Sequence, residues 1–459
     1  MLRISALAML ARIGSNGLRN DADCRSPIKM KNSTDPVPLL PRGYVIPFVL
    51  VTTLFFLWGI PNNLNDVLIR QFMKSFAMTR FEAGLIQSAF YLGYFILAMP
   101  AALVMRRLGY KSGFLIGLAL YSMGTVLFWP AAHVARYGFF LVALFVIASG
   151  LSFLETASNP FIAQLGDPRT SARRLNLAQA FNPLGSITGV LIGTVFIFSG
   201  IELRPSQVAA LQAQHQYANY LHSETMRVVA PYLVLSALTL LMFILIAATR
   251  FPPALRESEK QESHGGGLGA LLHYPHFLLA VVAQFAYVGA QVGTWSYLIP
   301  YIQTYTHEPE KTAGYFLTGT LVLFGVGRFF SAWLMRFVQP SLLMAGYAIV
   351  NAALAGLGVV SPGWIGVSAL LFTSFFMSLM FPTIFAQGIR GLGENTKMGG
   401  SLIVMAIVGG AVLTPLMGFI SVRSGVALAY LVPLLAYVVV AFYALGDMRL
   451  QKALGDQSA

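Results

Sequence analysis

Twelve long apolar stretches follow one another along this chain, and no other feature limits its possible folds so sharply. They run over residues 44–72, 81–105, 112–132, 138–165, 174–199, 228–249, 275–305, 312–335, 341–360, 363–389, 398–421 and 426–446. Each is long enough to cross about 30 Å of hydrocarbon at about 1.5 Å per helical residue. Within lipid every backbone N–H and C=O must be satisfied inside the protein, which leaves only helices or a closed barrel. The runs are continuous and do not alternate, which argues against a barrel. Hydrophobic residues make up 56% of the chain and charged residues 10%, whereas a soluble domain is about a quarter charged. The chain is therefore expected to be an all-α polytopic protein of the lipid bilayer. A soluble globular fold and a disordered chain are both excluded.

Polar connections divide the spans. Residues 250–274 hold Pro-Pro, a charge cluster and Gly-Gly-Gly, and they read as a flexible central linker. The domains expected are a disordered tail over 1–43, a six-helix half over 44–249, the linker over 250–274, a second half over 275–446 and a tail over 447–459. Lys and Arg concentrate on the side that carries the N-terminus and the linker, at Arg106, Arg107, Lys111, Arg169, Arg173, Arg174, Arg250, Arg256, Lys260, Arg336, Arg390 and Lys397. This bias predicts that both termini are cytoplasmic. It also accounts for the net charge of +13, so nucleic acid is not an expected partner. The single cysteine, Cys24, excludes a disulfide framework and argues against a Cys-ligated metal.

The two halves repeat. Gly59 and Leu68-Ile69 of the first span recur as Gly289 and Leu298-Ile299 of the seventh. Ala83-Gly84 and Met105-Arg106 recur as Ala313-Gly314 and Met335-Arg336. All lie at one offset, 230. Asn159-Pro160-Phe161-Ile162-Ala163-Gln164 is echoed by Phe381-Pro382-Thr383-Ile384-Phe385-Ala386-Gln387. A parallel six-plus-six repeat of this kind resembles the major facilitator architecture, which binds substrate at the midplane between halves.

Of 17 acidic residues, only Asp66 and Glu155 fall well within spans. A carboxylate at a helix centre costs about 2.5–3.5 kcal/mol on insertion scales. The bland reading is a buried carboxylate held by its neighbours for packing. The functional reading is a proton carrier, because low dielectric disfavours the ionised form. Amides accompany both: Asn62 and Asn63 near Asp66, Asn159 four residues after Glu155, and Asn176, Gln179 and Asn182 at steps of three. Gln284, Tyr287, Gln291 and Trp295 form a stripe at helical spacing. Amides that donate and accept, beside aromatic faces, suit a neutral polyhydroxylated ligand. Interhelical bonding is the competing account for any one amide, at about 0.6 kcal/mol each, but sets on four helices favour a polar cavity. Gly185, Gly189 and Gly193 recur every four residues and are assigned to close helix packing. Arg328, deep in the eighth span, either snorkels to an interface or pairs with a carboxylate. The chain lacks GxxxxGK[ST], HExxH and GxSxG, so neither ATP hydrolysis nor protease or lipase chemistry is expected, nor any cofactor.

The motifs resemble one family closely. Phe55-Phe56-Leu57-Trp58-Gly59-Ile60-Pro61-Asn62-Asn63-Leu64-Asn65-Asp66 is similar to the first helix of the L-fucose–proton symporters. So are Leu154 to Phe161, Leu175 to Asn182, Gln284 to Leu298 and Pro382 to Phe385. The resemblance extends from about residue 44 to 446. It implies a major facilitator fold of 12 transmembrane helices, symport of L-fucose with a proton, a bacterial inner-membrane location and a monomer. It implies coupling carboxylates at Asp66 and Glu155 and sugar-facing amides at Asn63, Gln179 and Asn182. Asn62, Trp58, Tyr287, Gln291, Trp295 and Phe381 complete the expected cavity. Fucose symporters carry Tyr at the position of Phe381, whereas glucose/galactose relatives carry Phe. Those relatives tend to carry Gln at the Glu155 position, so Glu155 favours fucose. In the loop after the second span, Arg106 stands at the superfamily's usual acidic position. The alternatives are a proton-coupled glucose/galactose carrier and, from another class, a membrane sugar receptor that does not transport.

Overall fold

The computed structural model describes residues 38–76, 80–199, 203, 205–251 and 268–456. The tail before residue 38, most of the linker and the last three residues lie outside the described residues. Every regular element among those described is helical. In chain order they are α1 (Val45–Ser75), α2 (Arg80–Val126), α3 (Phe128–Val134), α4 (Tyr137–Gln164), α5 (Ser171–Gln179) and α6 (Phe181–Ile192). After these come α7 (Pro205–Ala213), α8 (Tyr217–Met226), α9 (Val229–Ala248), α10 (Leu268–Leu271), α11 (Pro275–Thr306), α12 (Glu310–Leu334) and α13 (Pro340–Val360). The chain finishes with α14 (Trp364–Met377), α15 (Met380–Gly388), α16 (Thr396–Met405), α17 (Gly409–Ser424), α18 (Val426–Ala429) and α19 (Leu431–Asp456).

Eleven helical stretches among the described residues are long and apolar enough to cross a membrane, and one of them, Ala89–Val134, is 46 residues long. A straight helix of that length would reach about twice the hydrocarbon thickness. The stretch is instead broken at Gly109, at φ 81° and ψ 172°. A Cβ on Gly113 would meet the side chain of Met105. Residues eight apart in a straight helix would stand about 12 Å from each other, so the arms fold back at Gly109. That turn yields the second and third of twelve crossings. Glycine is suited to it because a positive φ penalises other residues.

Burial follows the repeat. Every residue from Ile147 to Ala163 in α4 is buried, as is every residue from Met377 to Ile389 across the end of α14 and α15. Buried on every side, these two are the central elements of their halves, and polar residues such as Ser152, Glu155, Asn159, Thr383 and Gln387 are buried with them. By contrast, α9 leaves Val234, Leu241 and Ile244 more than half exposed on the outer surface, where lipid would cover them. Each half also repeats one close contact. A Cβ on Gly185 of α6 would strike the carbonyl of Phe56 in α1, and one on Gly409 of α17 would strike the carbonyl of Phe285 in α11. Gly189 lies against the Ile60 carbonyl and Gly193 against Val67. The every-fourth-residue glycines thus let α6 lie backbone to backbone on α1.

Two of the basic residues counted on the linker-bearing side serve helix ends. Arg174 is buried and donates to the carbonyls of Ile162 (3.1 Å), Ala163 (2.6 Å) and Asp167 (3.0 Å), capping α4. Lys111 donates to the carbonyls of Ala247 (2.7 Å) and Thr249 (2.9 Å) at the end of α9. Both place a cation where the last carbonyls of a helix lack partners.

Candidate functional site between the halves

A cavity of about 590 Å³ lies between the halves, and residues of both line it. From the first half come Trp58, Asn62, Glu155, Gln179 and Asn182; from the second come Gln291, Trp295 and Phe381. Eight sequence-predicted residues are therefore brought to one space from six helices. Asn63 and Asp66 lie on α1, one and four residues past Asn62, and their side chains lie outside the described residues.

The local fold explains why these side chains converge. The fifth span is interrupted at Ala180, between α5 and α6. Pro183 lacks the N–H that a continuous helix would need there. Gln179 and Asn182 flank that interruption. Gln179 donates from Nε2 to Oδ1 of Asn159, at 2.8 Å, and Asn182 donates from Nδ2 to the carbonyl of Phe55, at 3.1 Å. Each amide is thus fixed on a neighbouring helix. Oδ1 of Asn62 is buried with no hydrogen-bond partner in the protein, which leaves an acceptor for a ligand or water.

Glu155 is only 9% exposed and shares the cavity lining with Tyr94. Opposite, Trp295 donates from Nε1 to Oγ of Ser374 at 3.1 Å and meets Phe324 edge-on, with ring centres 5.2 Å apart. The stripe on α11 divides. Gln291 and Trp295 line the cavity, while Tyr287 is fully buried and meets Phe381 edge-on at 6.4 Å. Tyr287 therefore backs Phe381 and does not line the cavity. A 3.6-residue period with members spread over eleven positions drifts round the helix, so one stripe faces two environments.

Residues that the sequence reading did not assign also line the cavity. Phe90, Tyr91 and Tyr94 project from α2, with Phe324 and Arg328 from α12. The spacing of Phe90 and Tyr94, one helical turn, is the signal that could have pointed to the first group. Arg328 does not snorkel: it is 5% exposed, lies over the Phe324 ring at 4.7 Å and shares the cavity lining with Glu155.

On the side of the cavity that carries the linker, the halves are in contact. Asn176 of α5 donates from Nδ2 to Oγ1 of Thr383 in α15, at 3.0 Å. The Lys397 ammonium lies 4.9 Å from the ring centre of Tyr110. Ser401 of α16 approaches the Met99 sulfur of α2 at 3.8 Å.

Two six-crossing halves that share a polar cavity at their seam define a carrier that binds its cargo at midplane, a transporter rather than an enzyme. The chain belongs to the major facilitator superfamily, whose family model matches residues 48–401. It is 45% identical over 410 residues to the L-fucose–proton symporter of Escherichia coli K12, covering 88% of this chain and 93% of that protein. It is 35% identical over 410 residues to a glucose/galactose transporter of Brucella abortus, covering 88% and 94%. A crystal structure of the transporter FucP in the outward conformation superposes with a TM-score of 0.81 at 44% identity, covering 88% of this chain and 99% of that one.

Proposed function

We propose that this protein carries L-fucose into the cell together with a proton, by alternating access. One observation carries the reading: a buried ionisable carboxylate, Glu155, shares a cavity with amides and indoles from both halves. Recognition of a neutral sugar does not itself require an ionisable group, and burying one is costly. Its presence argues for a proton as second cargo and against a receptor that only binds. The identity to the E. coli fucose symporter supports the choice of sugar.

In this mechanism a proton from outside neutralises Asp66. Fucose then binds among Asn62, Asn63, Gln179, Asn182 and Gln291, with its C–H faces on Trp58 and Trp295. Glu155 bonds sugar hydroxyls or relays the proton. A neutral, hydrogen-bonded cavity costs less to close off from water than a charged one. The halves rock, the contacts on the linker side part, and sugar and proton leave together. The protein works as a monomer in a bacterial inner membrane, with both termini in the cytoplasm, as the Lys and Arg distribution supports.

The second reading, a proton-coupled glucose/galactose carrier, draws on Phe381 in the cavity wall and on the 35% identity to the Brucella transporter. The deciding measurement is external pH in a weakly buffered suspension of expressing cells. L-fucose, D-galactose and D-glucose are added in turn. Alkalinisation on fucose supports the proposal, and alkalinisation on the hexoses alone supports the second reading. No change with any sugar, in cells shown to contain the protein, removes proton coupling from both.

A further inference from the structure

Two carbonyls beside the cavity lose their helical donors for a reason visible in the sequence. In an α-helix the N–H of residue i bonds to the carbonyl of residue i−4. Pro183 has no N–H, which deprives the carbonyl of Gln179; Pro382 deprives that of Ser378 in the same way. The first carbonyl lies where α5 gives way to α6, in the N-terminal half. The second lies where α14 gives way to α15, in the C-terminal half. One guanidinium takes both. Arg328 donates from Nη1 to the Gln179 carbonyl at 2.8 Å and from Nε to the Ser378 carbonyl at 2.9 Å.

The two bonds differ in kind. Arg328, its Phe324 platform and Ser378 all belong to the C-terminal half, so that bond holds the side chain in place. The bond to Gln179 crosses the seam. We propose that Arg328 is a positioning residue: a clasp, anchored on the carbonyl freed by Pro382, that grips the carbonyl freed by Pro183 and holds the halves together on the linker side of the cavity. The inference rests on the alternating-access reading. When the halves rock, the Gln179 bond is the one that must part, and the Ser378 bond travels with α12. A planar guanidinium presents donors in fixed directions and can span two acceptors, which a lysine ammonium cannot reproduce.

The test measures the resting equilibrium of the halves directly, without sugar. Spin labels are attached through Arg169→Cys and Glu394→Cys in a Cys24→Ser background, in the full-length protein in liposomes. Distance distributions give the fraction open on the linker side. Arg328→Lys is expected to raise that fraction at least threefold. Pro183→Ala supplies the missing N–H at residue 183 and lets the Gln179 carbonyl bond within its own helix. It is expected to raise the open fraction too. In that background, adding Arg328→Lys should produce less than half of its original effect, since the grip is already relaxed. An unchanged fraction in Arg328→Lys overturns the clasp, as does an undiminished effect in the Pro183→Ala background, which would assign Arg328's influence to contacts other than the Gln179 carbonyl. Should Arg328→Lys fail to fold, Pro183→Ala alone decides: an unchanged fraction overturns the proposal. A chain that carries no fucose would still report the clasp, so the two proposals fail separately.

Discussion

Asn176 and Thr383 join the two halves of this transporter through one buried hydrogen bond, 3.0 Å from amide nitrogen to hydroxyl oxygen. Each side chain also has a local bond, Asn176 donating to the Ala172 carbonyl and Thr383 to that of Leu379. Only the shared bond is lost when the halves part. The Thr383→Val change removes that acceptor at nearly constant volume. An interhelical bond in a membrane is worth about 0.6 kcal/mol, so the linker-side-open fraction should rise about threefold. Distance measurements between labels on the two halves check this, and an unchanged distribution would remove Asn176 and Thr383 from the closed-state contacts.

Glu155→Gln and Asp66→Asn keep the size of the side chain and remove its charge. Each is expected to abolish uphill accumulation of sugar driven by a proton gradient. Counterflow, which exchanges sugar without net proton movement, should persist in at least one of them. Labelled fucose in proteoliposomes gives both quantities. Undiminished accumulation by a variant would withdraw the coupling role from that residue.

Phe381→Tyr adds a single hydroxyl to the cavity wall. A sugar hydroxyl that pairs with it gains about 0.5–1.5 kcal/mol, a two- to twelvefold gain in affinity. The gain should be greater for fucose than for galactose, and Trp58 and Trp295 in the same wall offer a fluorescence signal for the titration. Equal affinity for both sugars before and after the change would show that Phe381 does not set the preference.

Gly185→Ala places a methyl group against the carbonyl of Phe56 and forces α1 and α6 apart. Overpacking of this kind costs about 1–3 kcal/mol, which should lower the melting temperature in detergent. Gly346→Ala, in α13, meets nothing within 4 Å and removes a weak helix former. It should hold or raise stability, by up to about 1 kcal/mol. If the two variants melt alike, close α1–α6 packing is not limiting.

Length and apolarity alone identified the crossings, because a membrane span must close its own backbone hydrogen bonds and exclude charge. Even the second and third crossings, merged into one helical stretch, were separable in the sequence at the charged connection holding Arg106, Arg107 and Lys111. The cavity was legible for a related reason. Amides and carboxylates are costly in lipid, so Asn62, Glu155, Gln179, Asn182 and Gln291 marked themselves by being there. Asp66 and Asn63 were marked in the same way, and Asp66→Asn tests the first of them.

The role of Arg328 was not legible. Its burial, like that of Tyr287 behind Phe381, depends on which face of a helix meets which neighbour, and periodicity does not determine that over three turns. Both prolines were visible in the sequence, but not that a single guanidinium from a third helix would reach the two carbonyls they free. The sequence by itself determined the number of crossings, the repeat, and the residues too polar to face lipid, because the bilayer penalises each of these locally. Only the tertiary structure decided which of those residues share a cavity and which arginine spans the seam, because hydrogen bonds between helices depend on positions far apart in the chain.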